Sequence, residues 1–282
     1  MKIRKIAGAL GAEITGINLS QELSSAGALG IRQALLDHQV VFLRDQDLIP
    51  AQFLAFAQSM GEPIEYPFVK GLEGSPHIIE VKKLEHETVN FGGIWHSDTT
   101  YLDVPPMGSM LLSREVPPFG GDTMFANQYM AYETLSETMK GLLAGLKGIS
   151  SSAKADVSKT REDRMKSDGK EGLHGGGTGA APKQYQAAHP IVRTHPETGR
   201  KCLYVNVAHT AGIEGMSDAE SAPILNFLFA HQVKPEFTCR FAWEPHAIAF
   251  WDNRCTLHNP INDYHGFRRV MHRITLKGTK PV

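Results

Sequence analysis

The chain has 282 residues, 41% of them hydrophobic and 21% charged, with a formal net charge of -1. That balance is ordinary for a globular protein with a sizeable core and gives no electrostatic case for nucleic acid or a membrane surface as partner. No run of about 18 apolar residues offers a transmembrane helix, and the stretch from Ile6 to Ile14 is too short and too glycine-rich for a secretory leader.

Taken in order, Ile3 to Leu19 reads as two short strands broken between Gly8 and Gly11. Ser20 can cap a helix in which Ala28, Ile31, Ala34, Leu35 and His38 recur at helical spacing. Val40 to Leu43 is a continuous apolar run, the pattern of a buried strand. Pro50 opens a second helix, where its missing amide costs nothing. Phe53, Phe56, Ala57 and Met60 form its apolar stripe, and Gly61 stops it. A loop from Pro63 to Gly74 carries Tyr66, Phe68 and Lys70. Strands are expected at Ile78 to Val81 and Met107 to Ser113, and a tight turn from Pro117 to Thr123 leads into another. Tyr129 to Leu146 predicts one long helix.

The segment 150–186 differs in kind, being charged, rich in glycine and poor in apolar anchors. A segment of this length in a compact domain reads as a lid insertion over a site, with a plain surface loop as the alternative. Beyond it, Pro190 to Arg193 and Lys201 to Asn206 predict a strand pair. Ser217 and Glu220 form a capping box for a helix to about His231. Strands follow at Phe237 to Trp243, Ala247 to Trp251 and Val270 to Lys277. The three cysteines, Cys202, Cys239 and Cys255, are odd in number and not paired in spacing, which points to reduced thiols in a cytoplasmic protein. Many short strands with few helices predict an α+β chain with a mainly β core. The expectation is one domain over residues 1–282, a β-sandwich or jelly roll flanked by helices.

The chemistry centres on Trp95-His96-Ser97-Asp98. On a strand, residues i and i+2 project from one face, so His96 and Asp98 would converge. His258, after Trp251-Asp252-Asn253-Arg254, is the candidate third ligand, completing the two-histidine, one-carboxylate set of non-haem Fe(II) oxygenases. With 13 histidines in the chain, a chance His-x-Asp is quite possible, so the pair alone says little. Three protein ligands leave about three positions on an octahedral ion, room for a bidentate 2-oxo acid and dioxygen. The far carboxylate of such a co-substrate needs a cation, best an arginine. On a strand across 270–277, Arg269, Met271 and Arg273 share one face. Two inward arginines are costly unless anions occupy them, which predicts one site for the co-substrate and one for an anionic substrate. An edge strand with outward arginines is the alternative. A zinc hydrolase with the same ligands and a non-catalytic metal-binding jelly roll remain as rival classes.

With these motifs, the chain resembles the taurine/2-oxoglutarate dioxygenases, which include the phenoxyalkanoate herbicide dioxygenases and alkylsulfatases. The resemblance runs nearly end to end, through Gly11 to Leu19, His38 to Asp45, Trp95 to Asp98, Gly120-Gly121-Asp122-Thr123, Trp251 to Arg254 with His258, and Arg268 to Arg273. It implies a double-stranded β-helix with Fe(II) on His96, Asp98 and His258. It implies 2-oxoglutarate on Arg269 and Thr123, O2 as oxidant, Arg273 on an anionic group of the substrate, and a dimer or tetramer. Succinate and carbon dioxide would leave as a small anionic substrate is hydroxylated: an alkylsulfonate (taurine-like), an alkyl sulfate or an aryloxyalkanoate.

The substrate pocket departs from the taurine enzymes. Their sulfonate-binding histidine corresponds to Tyr66, a nearby tyrosine to Val69, and a pocket phenylalanine to His209. An asparagine before the iron motif corresponds to Gly92, with Asn90 close by. Phe68-Val69-Lys70, Ala208-His209 and Gly212 to Met216 look more like the herbicide and aryloxypropionate members. The resemblance makes Tyr66, Phe68 and Tyr101 candidates for an apolar wall, Lys70 for a second anion contact, and Asn90 and His209 for substrate hydrogen bonds. Trp95 and Trp251 read as packing, and Asp252 and Asn253 as fixing the turn that presents His258.

Overall fold

The computed structural model describes residues 1–154 and 184–282. A hairpin of β1 (Lys2–Lys5) and β2 (Ala12–Thr15) leads into α1 (Ser25–His38), β3 (Val40–Leu43) and α2 (Pro50–Met60). Then come β4 (Pro63–Ile64), β5 (Ile78–Lys83), β6 (Gly108–Glu115) and β7 (Thr123–Asn127). Two short helices, α3 (Gln128–Glu133) and α4 (Glu137–Leu143), precede β8 (Lys147–Ser151), β9 (Gln186–Pro190), β10 (Val192–Thr194), β11 (Lys201–Leu203) and β12 (Thr210–Ile213). The chain closes with α5 (Asp218–His231), β13 (Thr238–Phe241), β14 (Ile248–Asp252), β15 (Thr256–Pro260) and β16 (Arg269–Leu276).

The main sheet has eight strands in the order β1-β2-β3-β14-β6-β16-β4, with β5 also paired to β16. A second sheet, β13-β7-β15, has three. The alternation of side chains explains how the two relate. Val41, Leu43, Met110, Leu112, Ile248, Phe250, Ile274 and Leu276 point to one face of the main sheet and pack under α1 and α2, against Ile31, Leu35, Phe53 and Phe56. Val40, Phe42, Ala249, Trp251 and Met271 point to the other face and meet Phe125 of β7 and Phe241 of β13. Both faces are therefore covered, which is why the central strands read as unbroken apolar runs. Phe42 and Phe241 stack at 4.0 Å between centroids, holding the sheets together. A third cluster joins α3, α4 and α5 to β11 and β12. The fold is mixed α/β, mostly sheet with few helices.

Several boundaries differ from the sequence expectation. The cap of α1 is Ser24, whose Oγ accepts from the Gly27 amide at 3.1 Å, because residues 18–21 close a turn of their own around Asn18. The long helix expected from Tyr129 breaks where the Thr134 hydroxyl bonds the Met130 carbonyl and Ser136 caps a new helix. The ends of the segment expected to be a lid, 150–186, belong to the paired strands β8 and β9; the rest of that expectation falls on 155–183, which lies outside the described residues. The Ser217–Glu220 capping box is present as expected.

Candidate active site

His96 lies on no regular strand. It forms an isolated bridge with His258, the His96 amide donating to the His258 carbonyl at 3.0 Å and the reverse bond spanning 2.8 Å. The chain turns directly afterwards, with Thr99 at φ 42°. His96 and Asp98 thus converge through this bridge and turn, where the sequence suggested the pleat of a strand. The Nε2 atoms of His96 and His258 each stand 3.7 Å from Asp98 Oδ1, and all three residues are buried. Gly92 crosses close above: a Cβ there would lie 2.9 Å from His96 Cε1, and its φ is 72°.

The electrostatics suit a hard divalent cation. Burial pushes the His96 and His258 imidazoles below their ordinary range, with Asp98 opposing only in part, so both rings are neutral. Burial alone would raise Asp98, but the Arg273 guanidinium and the Ser109 hydrogen bond outweigh it and hold the carboxyl well below the usual carboxylate range. His96 Nδ1 donates to the Ile94 carbonyl at 2.7 Å, which leaves Nε2 with its lone pair facing Asp98. Two neutral imidazoles and one ionised carboxylate on one face are the donor set of a non-haem Fe(II) centre. Among the described residues, one other group, His195, Asp252 and Cys255, has comparable spacing. Its carboxylate is already consumed: Arg254 grips Asp252 through Nε at 2.8 Å and Nη2 at 2.6 Å, and His195 adds a bond of 3.0 Å.

The expected co-substrate residues come together beside this set. The turn before β7 needs two consecutive left-handed residues, Gly120 at φ 70° and Gly121 at φ 68°, and the Gly121 amide donates to Asp263. Thr123 starts β7. Its Oγ accepts from Trp243 Nε1 at 3.0 Å, and the Arg269 guanidinium lies 5.6 Å from the same indole ring. Arg269 is only 6% exposed, and its Nε and Nη2 have no partner. Burial pulls this guanidinium below its ordinary range, with Tyr264 and Asp122 offsetting part of the effect. Such a cation is prepared for an anion.

Arg273, four residues along the same buried face of β16, points at the metal set. Its Nη2 is 2.7 Å from Asp98 Oδ2, and Tyr66 lies over the guanidinium at 5.2 Å. From Tyr66 a chain of edge-to-face rings runs through Phe68 at 5.5 Å to Tyr101 at 5.7 Å and on to His209 at 5.0 Å. Tyr185 joins it, 5.4 Å from Phe68. His209 is buried, 6.2 Å from His96, and burial lowers its pKa to about 3, so it is neutral. Asn90 donates its amide to the Pro260 carbonyl at 3.0 Å and so anchors its loop to β15. Lys70 is exposed. Trp95 is half-buried, while Trp251 packs 4.7 Å from the His258 ring.

The sequence reading missed Trp243, Tyr185 and Ser109, none of which lies in a motif. It gave Asn253 too small a part, since that side chain reaches Asp98 itself.

The taurine catabolism dioxygenase TauD, TfdA family model matches residues 2–275. An alkylsulfatase of Acinetobacter baylyi is 34% identical over 99% of this chain and 85% of its own. A (S)-phenoxypropionate/alpha-ketoglutarate-dioxygenase of Sphingobium herbicidovorans is 32% identical over 88% of this chain and 85% of its own. The crystal structure of a taurine dioxygenase from Burkholderia xenovorans superposes with a TM-score of 0.82 at 33% identity, covering 100% of this chain and 92% of the other. With the ligand set, the buried Arg269 and these likenesses in place, the chain belongs to the TauD/TfdA family and is an Fe(II)- and 2-oxoglutarate-dependent dioxygenase.

Proposed function

We propose that this dioxygenase hydroxylates the carbon bearing the anionic or aryloxy group of a small organic anion: an alkyl sulfate, an alkylsulfonate or an aryloxyalkanoate. The observation that carries the reading is the pair Arg269 and Arg273, both buried on one face of β16, one beside Thr123 and the other against Asp98 under Tyr66. Fe(II), 2-oxoglutarate and dioxygen supply the oxidation, in which 2-oxoglutarate becomes succinate and carbon dioxide and one oxygen atom enters the substrate carbon. The residues do the rest. His96, Asp98 and His258 would hold the ion. Arg269 and the Thr123 hydroxyl grip the far carboxylate of 2-oxoglutarate. Arg273 orients the substrate anion, neutral His209 offers it a hydrogen bond, and the rings of Tyr66, Phe68, Tyr101 and Tyr185 exclude water from the tail. A carbon left with both hydroxyl and leaving group collapses to a carbonyl compound, releasing sulfate, sulfite or a phenol. A hydrolase or a non-catalytic metal protein leaves Arg269 without a purpose.

The framework supports a double-stranded β-helix, with the three-stranded sheet packed on the main sheet across the Phe42 and Phe241 core. Residues 1–282 read as one domain, working in the cytoplasm as a homodimer or homotetramer. Among the described residues no helix is long and apolar enough to cross a membrane, and the three cysteines are buried and free.

The test is succinate release and oxygen uptake with Fe(II), 2-oxoglutarate and a panel of taurine, longer alkylsulfonates, alkyl sulfates and aryloxyalkanoates. One class should stimulate turnover. Arg273→Leu should keep the slow uncoupled succinate release and lose that stimulation. Turnover that none of these anions stimulates would overturn the substrate class.

A further inference from the structure

We infer that Asn253 is the positioning residue that decides how Asp98 meets the metal: it commits Oδ2 to the protein and leaves Oδ1 as the single ligand atom. The inference rests on His96, Asp98 and His258 being the ligands.

The orientation of the Asn253 amide is fully determined. Its Oδ1 accepts from Trp251 Nε1 at 3.0 Å and from the Asp98 backbone amide at 3.3 Å. An indole N–H and a backbone N–H can only donate, so the oxygen must lie on that side. Nδ2 therefore faces the other way and donates to Asp98 Oδ2 at 2.9 Å and to Ser109 Oγ at 3.2 Å. Ser109 spends its one proton on Asp98 Oδ2 at 2.8 Å and accepts from Asn253 and from Arg273 Nη2, the latter at 3.2 Å. With Arg273 Nη2 at 2.7 Å, three donors converge on Oδ2. Oδ1 faces the two imidazole Nε2 atoms.

The backbone of Asn253 is held as firmly. Its amide donates to the Met107 carbonyl at 3.0 Å, and its carbonyl accepts from the Ser97 hydroxyl at 2.7 Å. The preceding Asp252 is buried and clasped by Arg254. Asn253 thus joins the segment that carries His258 to the segment that carries His96 and Asp98, through both its main chain and its side chain. Of the three donors on Oδ2, Arg273 is shared with the substrate anion. Ser109 and Asn253 have no such second duty, so they keep Oδ2 occupied when Arg273 turns to substrate. A carboxylate without them no longer holds Oδ1 aimed at the ion, which weakens metal binding, and its freed Oδ2 can swing into a coordination position that 2-oxoglutarate or dioxygen needs.

The experiment measures Mn(II) affinity by electron paramagnetic resonance titration of the free ion, and the binding of N-oxalylglycine to the Mn(II) form. Asn253→Leu and Ser109→Ala are compared with wild type, and melting of the metal-free proteins reports folding. Asn253→Leu should weaken Mn(II) about 10- to 100-fold and also weaken N-oxalylglycine on the loaded protein. Ser109→Ala should move both in the same direction by less. Folded variants with wild-type Mn(II) affinity, or with lowered melting temperature alone, would overturn the inference. If Asn253→Leu fails to fold, Ser109→Ala decides by the same criterion. His96→Ala separates the two readings: if it still binds Mn(II) as wild type does, the ligand assignment fails, and the inference with it.

Discussion

Replacing Arg269 by leucine should produce two effects of opposite sign. Arg269 is 6% exposed, with Nε and Nη2 unpartnered, and burial already pulls its pKa down, so the metal-free fold carries a poorly compensated cation. Its removal should leave the melting temperature of the metal-free protein unchanged or raise it, at about 2–4 °C per kcal/mol for a chain of this size. Binding of 2-oxoglutarate should fall sharply. A bidentate charge pair in a desolvated site is worth about 2–5 kcal/mol on truncation, which at about 1.4 kcal/mol per decade is about 30-fold to several thousandfold in affinity. Calorimetric melting of the metal-free variant and titration of the Mn(II) form with N-oxalylglycine read the two effects separately. A lowered melting temperature with unchanged ligand affinity would make Arg269 a structural cation and move the co-substrate elsewhere.

Trp243 and Asp252 yield two further expectations. Because Thr123 Oγ accepts from Trp243 Nε1, its own proton is free to point into the pocket; Trp243→Phe should raise the KM for 2-oxoglutarate about 2- to 10-fold and spare that of the prime substrate, and the opposite pattern would refute the role. Asp252→Asn removes one of the two carboxylates on the buried Arg254, leaving Glu197 at 2.6 Å as the other, and should cost about 1.5–3 kcal/mol in urea unfolding. The Asp252 carboxyl is held below the usual carboxylate range by Arg254 and His195 against the cost of burial. Its stabilisation is therefore complete above its unfolded pKa of about 4 and is lost as pH falls towards the folded value. The gap between wild type and variant should narrow below about pH 4, and a constant gap there would refute the assignment.

Local chemistry made much of this legible. Val40 to Leu43 reads as a strand because both its faces are covered, and Pro50 and the Ser217–Glu220 pair mark helix starts through atoms within four residues of themselves. Arg269, Met271 and Arg273 read as one face because strand alternation is rigid. What stayed hidden depends on distant partners. Ser20 and Ser24 offer the same cap, and only the Asn18 turn decides between them. Ser109 lies 11 residues from Asp98 and Trp243 lies 120 from Thr123, and no local pattern announces that they meet. His96 reaches its place through a bridge to a residue 162 positions away, a pairing that no His-x-Asp spacing encodes.

That bridge has a consequence for which metal the protein carries. Reciprocal backbone bonds tie His96 to His258, so the spacing of the two nitrogens is set by the chain before any ion arrives. A cage assembled in advance offers little discrimination among divalent ions of similar size, and intrinsic affinity favours zinc and copper over Fe(II). Occupancy by iron is then a property of the cell's supply, and zinc should act as a tight, silent competitor for the same three atoms.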